Sequence, residues 1–315
     1  TEIAVSGGGI VGPALALALA RAGRDVALID PAGDGPPGGD ARLYALSLGS
    51  CALMRALGVW PAIAGAAQPL NAVRVADARP GRAPGPGTLA LDSAEIEAGH
   101  FGHMVEDRDL RAALAQAVAG EARITRHDAA LADHAAGEGA AELTLSTGTQ
   151  LTARLLAAAE GRRSPSARRA GLRFVSHDYG QDAITAPVAL ERPHHGAAHQ
   201  IFHPGGPLAI LPMTGDRASI VWSLPRDQAA ALMATGEAGF MAALAPRFGG
   251  FLGRIALAGP RRRFPLSMQL AHDATAPRLA VLGDAAHGLH PVAGQGLNMG
   301  LRDVAALAEV AVDAA

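Results

Sequence analysis

The sequence predicts an α/β fold: a Rossmann-like dinucleotide-binding sheet with a second, antiparallel β-sheet domain inserted into it. Three observations predict it. A strand, a glycine turn, a helix and a second strand fill the first 30 residues, the length of a βαβ unit. From Tyr179 to Leu224 the texture changes to short β-type runs punctuated by Pro and Gly, the pattern of an antiparallel sheet. A buried-type strand then returns at Arg278–Leu282 and leads into a Gly/His loop and a last helix. With 315 residues, 49% of them hydrophobic and 18% charged, the chain can bury a large core and is too apolar for disorder.

The elements follow in order. Glu2–Ser6 is β-rich and Gly7–Gly9 forms a turn. An Ala/Leu helix runs from about Ile10 to Ala22, and Gly23 ends it as a C′ residue does. Asp25–Asp30 is a second buried strand, followed by a Gly/Pro loop over Pro31–Asp40 and a helix over Leu48–Leu57. Leu70–Leu91 alternates like paired strands interrupted by the ARPGRAPGPG break. Asp107–Ala119 has helical spacing and an acidic start. Breaks at Gly137, Gly139 and Thr147-Gly148 divide Ala129–Ala159 into a β-meander that ends in an apolar strand, Leu151–Ala159. Arg162–Gly171 reads as a turn into a short helix, and two more helices fall at about Asp227–Ala234 and Glu237–Ala245. Gly283–Gly296 is the Gly/His loop and Leu297–Ala314 the last helix.

Charge and composition exclude several functions. The formal net charge is -2, so there is no nucleic-acid footprint. All 27 Lys+Arg residues are Arg, a compositional trait of the sequence, so any phosphate clamp is backbone N–H or Arg. Cys51 is the single cysteine, which rules out a disulfide framework and a Cys-based zinc site and points to a reducing compartment. No stretch approaches ~20 apolar residues, and Ile10–Ala20 has no basic flank, so neither a membrane span nor a signal peptide is expected. The expected location is cytoplasmic, soluble or peripheral to a membrane.

Gly7-x-Gly9-x-x-Gly12 joins the first strand to the first helix, where backbone N–H groups can approach a pyrophosphate. Asp30, 18 residues beyond Gly12, ends the second strand where a carboxylate accepts from a ribose hydroxyl. Far along the chain, Gly283-Asp284 sits at the tip of the returning strand, and Gly294, Gly296 and Gly300 flank a helix start. That is a second anion-binding terminus, suited to another part of one extended ligand. His287 and His290 lack a third ligand at helical spacing and read as structural or substrate-orienting; no metal is expected. His194, His195, His199 and His203 read as loop and sheet residues. Arg162, Arg163, Arg168 and Arg169 form a basic run, ordinarily a solvated face, with a cofactor phosphate or anionic lipid as the alternative.

These clusters resemble those of the group A FAD-dependent aromatic monooxygenases, and most closely the UbiH/UbiF/VisC-like hydroxylases of ubiquinone biosynthesis. GGGIVGPALALALARAGRDVALID resembles the FAD fingerprint, DARLYALSLGSCALMRALGVW the segment after the second strand, and AAAEGRRSPSARRAGL the second FAD/NAD(P)H motif. YGQDAITAPVALERPHHGAAHQIFHPGGPLAILPM resembles the branch's substrate-domain text, and LGDAAHGLHPVAGQGLNMGLRD the ribityl-binding motif and flavin loop. The resemblance implies a para-hydroxybenzoate-hydroxylase-like fold. Segments 1–70, 98–175 and 271–315 would bind FAD, and 71–97 and 176–270 would bind substrate.

The resemblance also implies FAD as cofactor, NAD(P)H as reductant and O2 as oxidant. The implied substrate is a polyprenylated phenol, with peripheral contact at the inner membrane and with other ubiquinone-biosynthesis proteins. Alternatives are a soluble phenol or aromatic acid as substrate, or a non-catalytic flavoprotein scaffold. The implied cofactor residues are Gly7, Gly9, Gly12, Asp30, Arg42, Arg108, Glu160, Gly161, Gly283, Asp284, Pro291, Gly294, Gly296, Leu297 and Asn298. No catalytic side chain is certain; His290 and Pro291 lie nearest the flavin loop, and Asp107 is the alternative to Arg108. Two departures stand out. The family has Asp where this chain has Glu160, so Glu160→Asp is expected to restore the family geometry. The family also continues into C-terminal helices beyond the point matching Ala315.

Overall fold

The computed structural model describes residues 1–31, 42–78 and 89–313. The loop expected over 32–40 and most of the break expected over 78–87 lie outside them. A six-stranded sheet runs from edge to edge as Thr275–Ala276, Leu279–Val281, Leu155–Ala158, Ile3–Ser6, Val26–Ile29 and Ile124–His127. All neighbours are parallel except the first pair. The central strands are buried on both faces, which is why they read as continuous apolar runs. The helices Val11–Arg21, Asp107–Ala119 and Gln295–Asp313 cover one face through Leu15, Leu110, Leu114, Leu301 and Val304. A three-stranded meander, Leu131–Ala136, Ala141–Leu145 and Gln150–Ala153, covers the other through Leu131, Leu143 and Leu145.

The apolar strand expected over Leu151–Ala159 is two strands. Gln150–Ala153 closes the meander, and Leu155–Ala158 crosses into the parallel sheet beside Ile3–Ser6. Ala153 and Leu156 are both buried, so the hydrophobic text runs on unbroken where the chain changes sheet.

The second layer is a nine-stranded, largely antiparallel sheet built on Phe174–Leu190, a 17-residue strand that begins before Tyr179. One face carries Ile184, Ala186, Ile210, Ile220 and Trp222 and packs under the helices Arg226–Ala234 and Glu237–Phe248 through Phe240, Leu244 and Phe248. Arg262–Ala271 pairs along most of Phe174–Thr185. Its sequence hides this, because it starts with two arginines and contains Pro265, which removes a ladder donor. The helix expected to stop at Ala245 continues through Pro246 to Phe248 and ends on left-handed Gly249. A small fourth sheet of Leu43–Ser47, Gly102–Glu106 and Gln68–Pro69 shares a core with the first through Leu46 and Val105.

Candidate functional site

Register brings the sequence motifs together. Ser6 pairs with both Ile29 and Ala158, and Ala158 with Val281. Gly7, Asp30, Glu160 and Gly283 therefore all leave the carboxyl edge of one parallel sheet, where ligands bind in such folds. The helix Val11–Arg21 opens there with no side-chain cap and no acidic residue in its first turn. Its first N–H groups are thus left for an anion.

The glycines divide by function. A Cβ on Gly12 would stand 1.8 Å from the Gly7 carbonyl oxygen, so the helix and strand cross too closely for any side chain. Gly7 has φ +116°, and its own Cβ would lie 2.4 Å from the Ala159 oxygen. Gly9 differs, because nothing stands within 4 Å of its Cβ position. No contact among the described residues requires a glycine there, and the open space fits the close approach of a ligand's pyrophosphate. Asp30 accepts from the Gly8 N–H and so stands at the same turn. Gly161, with φ +77°, also faces open space.

Asp284 lies on a single 3-10 turn, Gly283–Ala285, at the tip of Leu279–Val281. Its Oδ2 accepts from Arg162 Nε at 3.3 Å, and its Oδ1 is 3.8 Å from where a Gly296 Cβ would stand, at the start of the last helix. That helix begins at Gln295, two residues before the expected Leu297, and has no acidic residue in its first turn. Gly300 lets it press on Gly283 and Val11; a Cβ there would be 3.1 Å from Gly283 Cα. Leu297 packs on the core. Gly294 takes φ +61° against Ala45, and the exposed Pro291 precedes the 3-10 turn Val292–Gly294.

Three further expected cofactor residues have their side-chain polar groups engaged within the chain. Asn298 is buried, accepts from Ser47 N–H and Ser50 Oγ, and donates to the Ala45 and Gly294 carbonyls. It ties Leu43–Ser47 to the last helix. Glu160 accepts four hydrogen bonds: Ser6 Oγ at 2.7 Å, Ser166 Oγ at 2.8 Å, Ser164 Oγ at 2.6 Å and Ser166 N–H at 3.1 Å. Arg108 is exposed and pairs with Glu106 at 3.1 Å and Asp109 at 3.5 Å. Its alternative, Asp107, is buried; it binds Arg111 at 2.8 Å and accepts from the Tyr44 hydroxyl at 2.9 Å. Burial raises the Tyr44 hydroxyl above its usual range, so it stays protonated and donates. Arg42 is exposed just before Leu43–Ser47, and its carbonyl accepts from Asp107 N–H.

Three of the four histidines in the 194–203 tract have partners within the chain. Gly196 N–H donates to His194 Nδ1, so the ring proton lies on Nε2 and is shared between the Met213 and Gly215 carbonyls. His199 lies against Phe251, where burial and Arg74 push it down to about 4. His203 Nε2 meets the Arg247 carbonyl. Cys51 is a buried helix residue whose thiol burial pushes up to about 11, which leaves it unreactive.

His287 Nε2 lies 2.6 Å from Asp303 Oδ2, which also accepts from Gly283 N–H at 2.8 Å. Sequence reasoning missed Asp303 because its partners are 16 and 20 residues back, beyond helical spacing. The Asp303 bond, with smaller help from Asp284, raises the His287 pKa against the opposing effect of burial. A raised histidine contributes stability below its unfolded pKa of about 6.5 and loses it as pH rises through the folded value. The urea midpoint of the native chain is therefore expected to exceed that of Asp303→Asn at pH 6 and to lose that advantage as pH rises through the folded His287 value, the other histidines being common to both chains. Equal slopes would remove the pair from the loop's stability.

These features define a dinucleotide-binding α/β protein that sets an antiparallel sheet across its cofactor edge. Residues 1–311 match the family described as FAD binding domain. The chain is 42% identical to the ubiquinone hydroxylase UbiL of Rhodospirillum rubrum over 98% of this chain and 71% of that protein. It is 35% identical to the 3-demethoxyubiquinol 3-hydroxylase of Escherichia coli, covering 100% and 80%. The Pseudomonas aeruginosa PqsL complex with 2-aminobenzoylacetate superposes with a TM-score of 0.82 at 22% identity, over 98% and 85% of the two chains, and shows the shared fold. The chain belongs to the FAD-dependent hydroxylases of ubiquinone biosynthesis, and the fold expected from the sequence is the one found. No helix among the described residues is long and apolar enough to cross a membrane.

Proposed function

We propose that this chain uses FAD, NAD(P)H and O2 to hydroxylate the ring of a polyprenylated phenol delivered from a membrane surface. The observation that carries the reading is the face of the nine-stranded sheet turned away from its two helices, where Ala183 and Thr185 are buried and Ala209, Val221 and Phe264 half-buried. Ala183, Thr185, Ala209, Val221 and Phe264 share that face by register, opposite the helix-covered core. Arg217, on the same face, reaches Glu106 of the small sheet at 3.5 Å. Tyr179 meets the His290 ring of the Gly/His loop edge-on at 5.0 Å, and His177 meets Tyr179 at 4.9 Å. An apolar floor with aromatic rings at its loop end suits a ring substrate with a hydrocarbon tail.

The residues present fit FAD. Gly7, Gly9 and Gly12 would hold the pyrophosphate, Asp30 the adenosine ribose, and Asp284 the polyol chain. The backbone around Gly294–Asn298 would meet the isoalloxazine. Bound FAD supplies the redox and oxygen chemistry, and the chain supplies position and dryness. Segments 1–70, 98–175 and 271–315 would carry the cofactor, and 71–97 and 176–270 the substrate. Burial and the Arg162 charge lower the His290 pKa, so its ring is neutral when it lines the site.

Asp284→Ala is expected to weaken FAD retention roughly tenfold, because it removes a charged acceptor; unchanged flavin content would remove Asp284 from the site. The function is tested by supplying prenylated phenols with NAD(P)H and O2 and measuring a product one oxygen heavier. NAD(P)H oxidation that yields only peroxide with every prenylated phenol, but product with a soluble one, would overturn the substrate.

A further inference from the structure

We propose that Arg162 is a positioning residue that holds Asp284 toward the cofactor and locks the Gly/His loop against the substrate sheet. The proposal deepens the reading above and rests on it for turnover, though not for cofactor retention. In the sequence Arg162 is one of four arginines in a basic run; Arg163 and Arg168 are exposed as such a run should be, and Arg169 meets Asp133 and the Leu131 carbonyl nearby. Arg162 is half-buried. Its guanidinium reaches three segments at once: Asp284 Oδ2 from Nε at 3.3 Å, Leu289 O from Nη2 at 2.6 Å, and Ser267 O and Oγ from Nη1 at 2.9 and 3.2 Å. Its own carbonyl accepts from Gln269 Nε2 at 2.7 Å, and Gln269 is the register partner of Gly288.

The chain makes room for this side chain. A Cβ on Gly288 would lie 2.8 to 3.1 Å from Arg162 Nε, Cγ and Cδ, so the loop passes directly over the arginine stem. A planar fork with donors on three nitrogens can satisfy a carboxylate, two carbonyls and a hydroxyl together; a lysine ammonium is one point charge and cannot span them. The geometry separates two jobs. The Nε bond fixes one Asp284 oxygen and leaves the other facing the start of the last helix. The two Nη groups fix the distance between the loop that carries His290 and the strand Arg262–Ala271.

The experiment uses Arg162→Ala, Arg162→Lys and Gly288→Ala in the full chain. FAD dissociation is followed by flavin fluorescence without substrate, and the peroxide fraction of NAD(P)H oxidation is measured with substrate. Arg162→Ala is expected to speed FAD release about tenfold and to raise the peroxide fraction. Arg162→Lys should bring release back to within roughly threefold of the native rate, because an ammonium still pairs with Asp284, while the peroxide fraction stays high. Gly288→Ala keeps the arginine but displaces it, and should reproduce the peroxide effect.

Native behaviour of Arg162→Ala in both measurements overturns the proposal. So does full rescue of both by lysine, which would reduce the role to charge, and so does a silent Gly288→Ala. If Arg162→Ala does not fold, the lysine and Gly288 variants decide. If the native chain turns over no prenylated phenol, the substrate reading fails separately, and FAD release alone decides the part played by Arg162.

Discussion

Gly12→Ala is expected to abolish FAD retention and to cost about 3 kcal/mol of stability, at the upper end of overpacking. The new methyl would sit 1.8 Å from the Gly7 carbonyl oxygen and 3.5 Å from Val5 Cγ1. Neither side can yield. Gly7 N–H is tied to Ile29 O at 2.9 Å, and Gly7 already sits with its Cβ position 2.4 Å from the Ala159 oxygen. Relief requires the helix Val11–Arg21 to lift, which would open the core at Leu15, Leu17 and Leu19, all fully buried. Gly9→Ala is the matched control. Its Cβ enters open space, so the apo chain should unfold at the native urea concentration while FAD binding falls. Flavin absorbance of the purified variants and urea titration of the stripped proteins check both. Equal stability losses at the two positions would mean that the turn is built only for packing. Full flavin content in Gly9→Ala would mean that no ligand uses the space.

The contrast between Gly9 and Gly12 shows what the sequence could carry. Both were legible as one motif, because strand, turn and helix lie within 30 contiguous residues. Their different jobs were not, because each depends on what crosses above the turn. The same holds across the site. Asp284 was legible from the strand that delivers it. Arg162 was not, because its side-chain partners lie 105 to 127 residues away and no local pattern marks an arginine that turns inward. Asn298 was legible as a member of the loop motif, but its side chain serves the Ser47 and Ala45 backbone. The nine-stranded sheet was legible in its hairpins through Pro and Gly punctuation. Arg262–Ala271 escaped because pairing with Phe174–Leu190 overrides the signals of its proline and arginines.

Glu160→Asp is the change on which sequence and structure disagree. The family pattern predicts that aspartate restores a lost geometry; the structure predicts damage. Glu160 closes a knot in which Ser6, at the end of the first strand, and Ser164 and Ser166, around the start of the helix Pro165–Arg169, all donate to one carboxylate. Ser164 Oγ in turn accepts from Ala167 N–H and caps that helix. Ser6, Ser164 and Ser166 are buried, so donors left behind find no water. Removing one methylene withdraws the carboxylate by about 1.5 Å, more than any of these bonds can stretch and survive. The expected cost is about 2 kcal/mol, the penalty for stranding one or two buried donors. Arg162 and Gly161 follow directly on Glu160, so the loss should also loosen the Asp284 contact and slow flavin reduction by NAD(P)H. Glu160→Gln separates length from charge: it keeps the reach but turns one acceptor into a donor facing serine donors, and should cost less than aspartate if reach dominates. Urea midpoints and anaerobic reduction rates check the pair. A Glu160→Asp chain as stable as the native one and reduced faster would restore the family expectation and make Glu160 a handicap rather than the clasp between strand and helix.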